Sequence, residues 1–156
     1  VRFNDHDFWR ARSHQRIDLW WGGRENNGDL MLILAFMLTL NREWEKARIH
    51  IHSATDTPAE KALLSQGIQA SLQRARIAAS VDITLKGEGG FQAALEREST
   101  GADIVFLGLK HTPAGEEADH TSKLERMSQV AKMVVFVQNN SLRAALPILL
   151  SRQETS

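Results

Sequence analysis

The feature that most restricts the fold of this chain is an almost unbroken apolar run, ADIVFLGL, at residues 102–109. A strand buried on both faces has this character, whereas a strand with one wet face alternates apolar and polar residues. Burial on both faces is typical of the centre of a parallel sheet that helices cover on two sides. The run therefore predicts a central parallel strand in an α/β domain.

Four further strands are indicated along the chain. Alternating apolar residues mark 17–21 and 81–85, and β-branched residues mark 48–53 and 133–137. Segments with helical periodicity separate these strands, and parallel strands joined by helices use right-handed crossovers. The sequence predicts an α/β fold with a doubly wound, mostly parallel five-stranded sheet and helices on both faces.

Length and composition limit the organisation of the chain. A chain of 156 residues has the size of one domain, which we place at 16–139, after a linker or N-terminal extension at 1–15 and before a C-terminal tail at 140–156. Nineteen basic and nineteen acidic residues give a net charge of +0, which disfavours nucleic-acid binding. The absence of cysteine excludes thiol chemistry and disulfides. The longest apolar run, at 30–40, is shorter than the ~20 residues that span a bilayer.

That apolar run predicts an unusual helix. Asn27 is a suitable N-cap and Asp29 suits the first turn, but the segment that follows is apolar on every face. Such a helix is expected to be covered on two sides, by the sheet and by a partner subunit. Candidate interface residues on it are Leu30, Leu34 and Leu38.

Ligands of doubly wound sheets bind beyond the carboxyl ends of the strands, where the strand order reverses. The loops after the first and fourth strands, 22–29 and 108–115, occupy this place. The first loop, GGRENNGD, is either a phosphate cradle or a plain turn with an N-cap, and the second offers a lysine and a histidine to an anion. The candidate binding residues are Gly22, Gly23, Asn27, Gly28, Gly108, Lys110 and His111.

The sequence gives little indication of a metal site or of catalytic residues. His50 and His52 leave the same face of a strand, as a metal pair requires, but no third ligand is evident and no metal is expected. No GxSxG nucleophile elbow or paired carboxylate motif is found. The residues therefore favour a non-enzyme, without catalytic residues or cofactor.

The stretch RIDLWWGGRENNGDLMLILAFMLTLNREWEKARIHI resembles the cytosolic C-terminal domain of cation-chloride cotransporters and their prokaryotic amino-acid-permease-like relatives. In that family, a strand of the type IDxWW leads into a glycine-containing loop, an apolar helix and a Trp-containing turn. The resemblance covers most of 16–139. It is carried by Ile17, Asp18, Trp20, Trp21, Gly28, Leu30, Leu34, Leu38, Trp44 and Ile49.

The resemblance implies a non-catalytic regulatory and dimerisation domain of a membrane secondary transporter. Its expected partners are the transmembrane domain of the same parent and a second copy, and its expected place is the cytoplasmic face of the cell membrane. The fold that it implies is similar to universal stress proteins. The alternative is therefore an adenine-nucleotide sensor of the universal stress type, although His111 stands at the third position after Gly108, where ATP-binding members have glycine.

Overall fold

The computed structural model describes residues 1–5, 8, 13–22, 27–109 and 117–138. Within these ranges, ten elements follow one another, and strands and helices alternate after the first. They are β1 (Arg2–Phe3), β2 (Arg16–Trp20), α1 (Asn27–Thr39), β3 (Arg48–Thr55), α2 (Pro58–Ala75), β4 (Ser80–Leu85), α3 (Gly90–Ser99), β5 (Ile104–Gly108), α4 (Glu117–Met127) and β6 (Met133–Val137). The predicted tail, 140–156, lies outside the described residues.

The strands form one sheet in the order β1-β6-β5-β2-β3-β4. All neighbours are parallel except β1 and β6, which are antiparallel. The doubly wound α/β prediction is confirmed, and β5, which contains most of the apolar run, lies inside the sheet as expected. The sheet has six strands and not five, because Arg2–Phe3 adds an edge strand. A two-residue strand has no sequence periodicity, so only its tertiary pairing shows it.

Two cores lie on the two faces of the sheet. One core packs α1 and α2 on Ile17, Leu19 and Ile51, and the other packs α3 and α4 on Trp20 and Val105. Successive residues of a strand point to opposite faces, which is why β2 supplies side chains to both cores. The shared sheet therefore ties the two cores together.

Part of the predicted linker contributes to the first core. Phe8 is buried, and the buried His14 ring lies between Phe8 and Trp44, with ring centroids 4.5 Å and 4.1 Å away. Residues within 1–15 therefore supply both an edge strand and core side chains.

Helix α2 begins with a capping box at Thr57. The Thr57 hydroxyl accepts a hydrogen bond from the backbone N–H of Glu60, whose carboxylate accepts one from the N–H of Thr57, and Pro58 occupies the first turn. This reciprocal capping box satisfies backbone donors that a helix leaves unpaired.

Helix α1 is covered on one side by the sheet. Met31, Leu32 and Ala35 are buried in the first core. A stripe of Ile33, Phe36 and Met37 on the same helix, continued by Leu40 directly after it, is exposed, with Leu40 71% accessible. No helix in the described part of the chain combines the length and apolarity that crossing a membrane needs.

Candidate functional site

The topology creates a crevice at the carboxyl ends of β2 and β5. From β2 the chain passes outward to β3 and β4, whereas β5 and β6 lie on the other side of β2. In such sheets, the usual ligand position is the space beyond the strand ends at this reversal of strand order. We call this space, which Gly22, Asn27 and Gly108 border, the carboxyl-end crevice.

Asn27 connects the two sides of the carboxyl-end crevice. It is the first residue of α1, it is 5% exposed, and its Nδ2 donates a hydrogen bond of 2.8 Å to the carbonyl oxygen of Leu109. A Cβ at Gly108 would lie 3.1 Å from the Asn27 Cβ, so glycine permits this close approach. The fold thus brings together two candidates that lie about 80 residues apart in sequence.

Gly28 and Gly22 differ in their surroundings. A Cβ at Gly28 would lie 2.2 Å from the indole of Trp21, so this glycine lets the start of α1 pack on the end of β2. Gly22 has open space where its Cβ would lie. Gly28 is therefore required for packing, and Gly22 borders free space.

Other predicted residues are placed differently. Gly23, Lys110 and His111 lie outside the described residues. The interface candidates Leu30, Leu34 and Leu38 are partly buried and pack against the first core. The exposed apolar side chains are those of the stripe at 33, 36, 37 and 40, which a segment that is apolar at every position from 30 to 38 does not distinguish in its sequence.

A group of polar side chains lies on the α3 side of the sheet. Asp18 is fully buried and accepts hydrogen bonds from Arg16, at 2.8 Å from Nε to Oδ1 and 3.0 Å from a terminal nitrogen to Oδ2. The His52 Nε2 lies 3.4 Å from Asp18 Oδ2. Burial alone would raise the pKa of Asp18, but the contacts with His52 and Arg16 outweigh it and lower the pKa. Asp18 is therefore a buried carboxylate that holds its charge.

The two histidines of β3 have different environments. His50 is partly exposed, its Nδ1 lies 2.8 Å from the Ser80 hydroxyl, and burial lowers its pKa. His52 is 5% exposed and stacks on Trp20 at 5.3 Å between ring centroids. Neither ring nitrogen of His52 has a hydrogen-bond partner among the described residues. The two residues share a face, as predicted, but only His52 is a buried imidazole without hydrogen bonds.

Two carboxylates complete this polar group around His52. A ring nitrogen of His52 and oxygens of Asp82 and Glu98 all lie within 4.8 Å of one another. Asp82 is the register partner of His52 on β4, and Glu98 comes from the last turn of α3. We call His52, Asp82 and Glu98 the His52 cluster.

Sequence reasoning missed both carboxylates of the His52 cluster. The alternation of β4 places Asp82 on one face, but it does not show which residue of β3 lies opposite. No pattern in the sequence around Glu98 indicates that it lies near His52 of β3. Chemically, one imidazole and two carboxylates are ligand types of divalent cations.

Comparisons with known proteins concern the fold. A crystal structure of a universal stress protein in complex with cAMP superposes with a TM-score of 0.58 and 14% sequence identity. The match covers 81% of this chain and 98% of that chain. The likeness at this identity concerns the fold alone.

A lipopolysaccharide core biosynthesis protein from Thermoplasma volcanium GSS1 matches with a TM-score of 0.38 and 17% identity, over 83% of this chain and 100% of that chain. At this TM-score, the match does not support a shared fold. No protein-family profile and no curated protein sequence matches the chain. The chain has a universal stress protein-like α/β fold.

Proposed function

We propose that this protein is a non-catalytic regulatory domain that binds an adenine nucleotide in the carboxyl-end crevice. The observation that carries the proposal is the meeting of Asn27, Gly108 and the start of α1 at the reversal of strand order. The structural neighbour in complex with cAMP supports this ligand class, because it shares the fold. This is the alternative that the sequence left open.

The electrostatics of α1 suit a phosphate group. The amide groups of a helix N-terminus and the helix dipole favour anions. The carboxylate of Asp29 in the first turn opposes an anion, but Arg74 lies 3.8 Å from it and offsets part of its charge. Open space at Gly22 leaves room for a ligand beside the helix start.

Calorimetric titration with ATP, ADP and cAMP tests the proposal. We expect saturable binding of at least one of them. A Gly108→Val side chain would enter the space of Asn27, and it should weaken binding at least ~10-fold by displacing Asn27 and the start of α1 from the end of β5. The control is Gly67→Val, because Gly67 lies on α2 with open space around it. No heat of binding with any of the three at millimolar concentration would contradict the proposal.

A second candidate function is the dimerisation domain of a membrane secondary transporter, tethered to the transmembrane domain of its parent. The observation that favours it is the exposed apolar stripe of α1, since contiguous exposed apolar residues mark interaction sites. The net charge of +0 means that two copies do not repel each other. A second copy of this chain is therefore the partner that we propose for the stripe.

Sedimentation velocity over a concentration series tests the dimer. We expect a concentration-dependent dimer that Met37→Lys abolishes, because Met37 is 57% exposed within the stripe. Leu63→Lys is the matched control, since Leu63 is an exposed apolar residue on α2 outside the stripe. A monomer at every concentration, or equal effects of both variants, would rule out the stripe as a dimer interface.

A further inference from the structure

The His52 cluster contains a buried imidazole whose hydrogen-bonding capacity is unused. Folding normally pairs buried polar atoms, because an unpaired one loses its interactions with water. Both ring nitrogens of His52 are without a hydrogen-bond partner in the described part of the chain, although Asp18 lies 3.4 Å from Nε2. The stacked Trp20 ring covers the imidazole and fixes its plane. A ligand for a ring nitrogen would supply the missing interaction.

Negative charge surrounds this imidazole. Arg16 hydrogen-bonds both oxygens of Asp18, and Arg97 Nε donates to Glu98 Oε1 at 2.8 Å. Arg97 is 60% exposed, so its ion pair contributes little stability and is readily exchanged for a stronger partner. Asp82 is exposed and is the register partner of His52 on the neighbouring strand. The three carboxylates therefore outnumber the two arginines, and a cation at the cluster would balance the remaining negative charge.

We propose that His52, Asp82 and Glu98 bind a divalent transition-metal cation, with Zn²⁺ as the best fit. A tetrahedral zinc ion with ligands at 2.0–2.2 Å needs ligand atoms about 3.3 Å apart. The present spacing, within 4.8 Å, reaches that value through small rotations of the two carboxylates. Three protein ligands leave one position for water.

Asp18 fits a supporting role at this site. Ligating histidines are commonly oriented by a carboxylate that contacts the imidazole from outside the metal shell. Asp18 lies on the neighbouring strand, is fully buried, and contacts the ring at 3.4 Å. The site lies on the α3 face of the sheet, whereas α1 and the first core lie on the other face. Metal binding is thus independent of the nucleotide proposal.

Titration of the full chain with ZnCl₂, in the presence of a chromophoric chelator and without nucleotide, measures the affinity. We expect one tightly bound ion. Asp82→Asn and Glu98→Gln should each weaken it by more than the ~10–100-fold that changes outside the metal shell cause. His50→Gln is the matched control, because His50 lies two residues from His52 on the same face but engages Ser80. It should leave the affinity unchanged.

Zinc-dependent thermal stability gives a second readout. A ligand that binds only the folded state raises its midpoint of unfolding. Zinc should raise the midpoint of the wild type and of His50→Gln, and it should not raise that of Asp82→Asn or Glu98→Gln. We test the carboxylates and not His52, because His52 is buried and its replacement would perturb folding. Absence of zinc binding in the wild type, or zinc binding by both carboxylate variants as tight as that of the wild type, would overturn the proposal.

Discussion

At the scale of single residues, Asp103 illustrates how a buried carboxylate fixes the start of the domain. Its Oδ2 accepts hydrogen bonds from the backbone N–H groups of Gln15 and Arg16 at 2.7 and 3.1 Å, and its Oδ1 lies 2.8 Å from Lys132 Nζ. One side chain therefore joins the beginning of β2 to the turn before β6. Burial acts to raise the pKa of Asp103, but Lys132 and the two amides lower it overall.

Replacing Asp103 should reduce stability in a pH-dependent way. Because the folded state lowers its pKa, Asp103 contributes stability above the ordinary aspartate pKa and loses it as the pH falls through the lower folded value. Asp103→Ala should cost about 2–3 kcal/mol at pH 7, since two backbone donors are left unpaired. The difference from the wild type should shrink below about pH 4. Urea unfolding between pH 2 and 7 measures it.

The control for this prediction is Asp56→Ala. Asp56 pairs with Lys86 at 2.8 Å, but its side chain is 68% exposed, so we expect a loss of less than about 1 kcal/mol. An Asp103→Ala variant as stable as Asp56→Ala at pH 7 would contradict the importance of the backbone contacts.

Gly28 is the second residue with a sharp prediction. The Cβ of Gly28→Ala would lie 2.2–2.5 Å from three indole atoms of Trp21, so the ring must move. We expect a loss of about 1–3 kcal/mol from overpacking, although alanine favours helices more than glycine does. Gly67→Ala on α2 has open space and should gain about 0.4–1 kcal/mol. Chemical unfolding followed by circular dichroism compares the free energies of unfolding of the two variants. A Gly28→Ala variant more stable than the wild type would show that the Trp21 indole does not exclude a side chain at this position.

At the scale of elements, the capping box stabilises the start of α2, and its loss should affect stability only modestly. Thr57→Ala removes the acceptor for the N–H of Glu60 and should lower the free energy of unfolding by about 1 kcal/mol. Thr100→Ala, at the C-cap of α3, is the control. Its hydroxyl bonds the carbonyl of Glu96 one turn back, a contact that adds little. Thermal unfolding distinguishes them, and equal midpoints would contradict the capping role.

Helix α1 shows the limit of element-level prediction. The breaker run before it predicts where it starts, but Asn27 is the first helical residue and not the predicted N-cap, and its side chain bonds Leu109 instead. Its buried face does not follow, because apolar residues occur on every side and no periodicity selects one. The sheet buries Met31 and Leu32 and leaves Phe36 and Met37 exposed. The buried face is the one that packs into the first core, through Met31, Leu32 and Ala35.

At the scale of the whole molecule, two cores share one sheet. Leu32→Ala in the first core and Leu95→Ala in the second each remove a fully buried side chain. We expect each to cost about 2–5 kcal/mol, and each variant should still unfold in one transition. Coincident urea curves from circular dichroism and tryptophan fluorescence would show this. Separate transitions in either variant would mean that the cores unfold independently.

The sequence by itself determined the fold class and the identity of the central strand. Apolar run length, alternation and turn residues act over a few positions, so they identified β5 and the alternation of strands and helices. They also identified Asn27 and Gly108 as candidates. The edge strand β1 was missed because two residues carry no period.

Only the tertiary structure decided which distant side chains meet. Asn27 reaches Leu109 because α1 begins beside the end of β5, and His52 meets Asp82 and Glu98 through the β3–β4 register and the last turn of α3. Register and crossover packing depend on contacts between residues far apart in the chain, which local periodicity does not encode. The sequence therefore indicated the strand ends at which a ligand is expected, whereas tertiary packing alone assembled the His52 cluster.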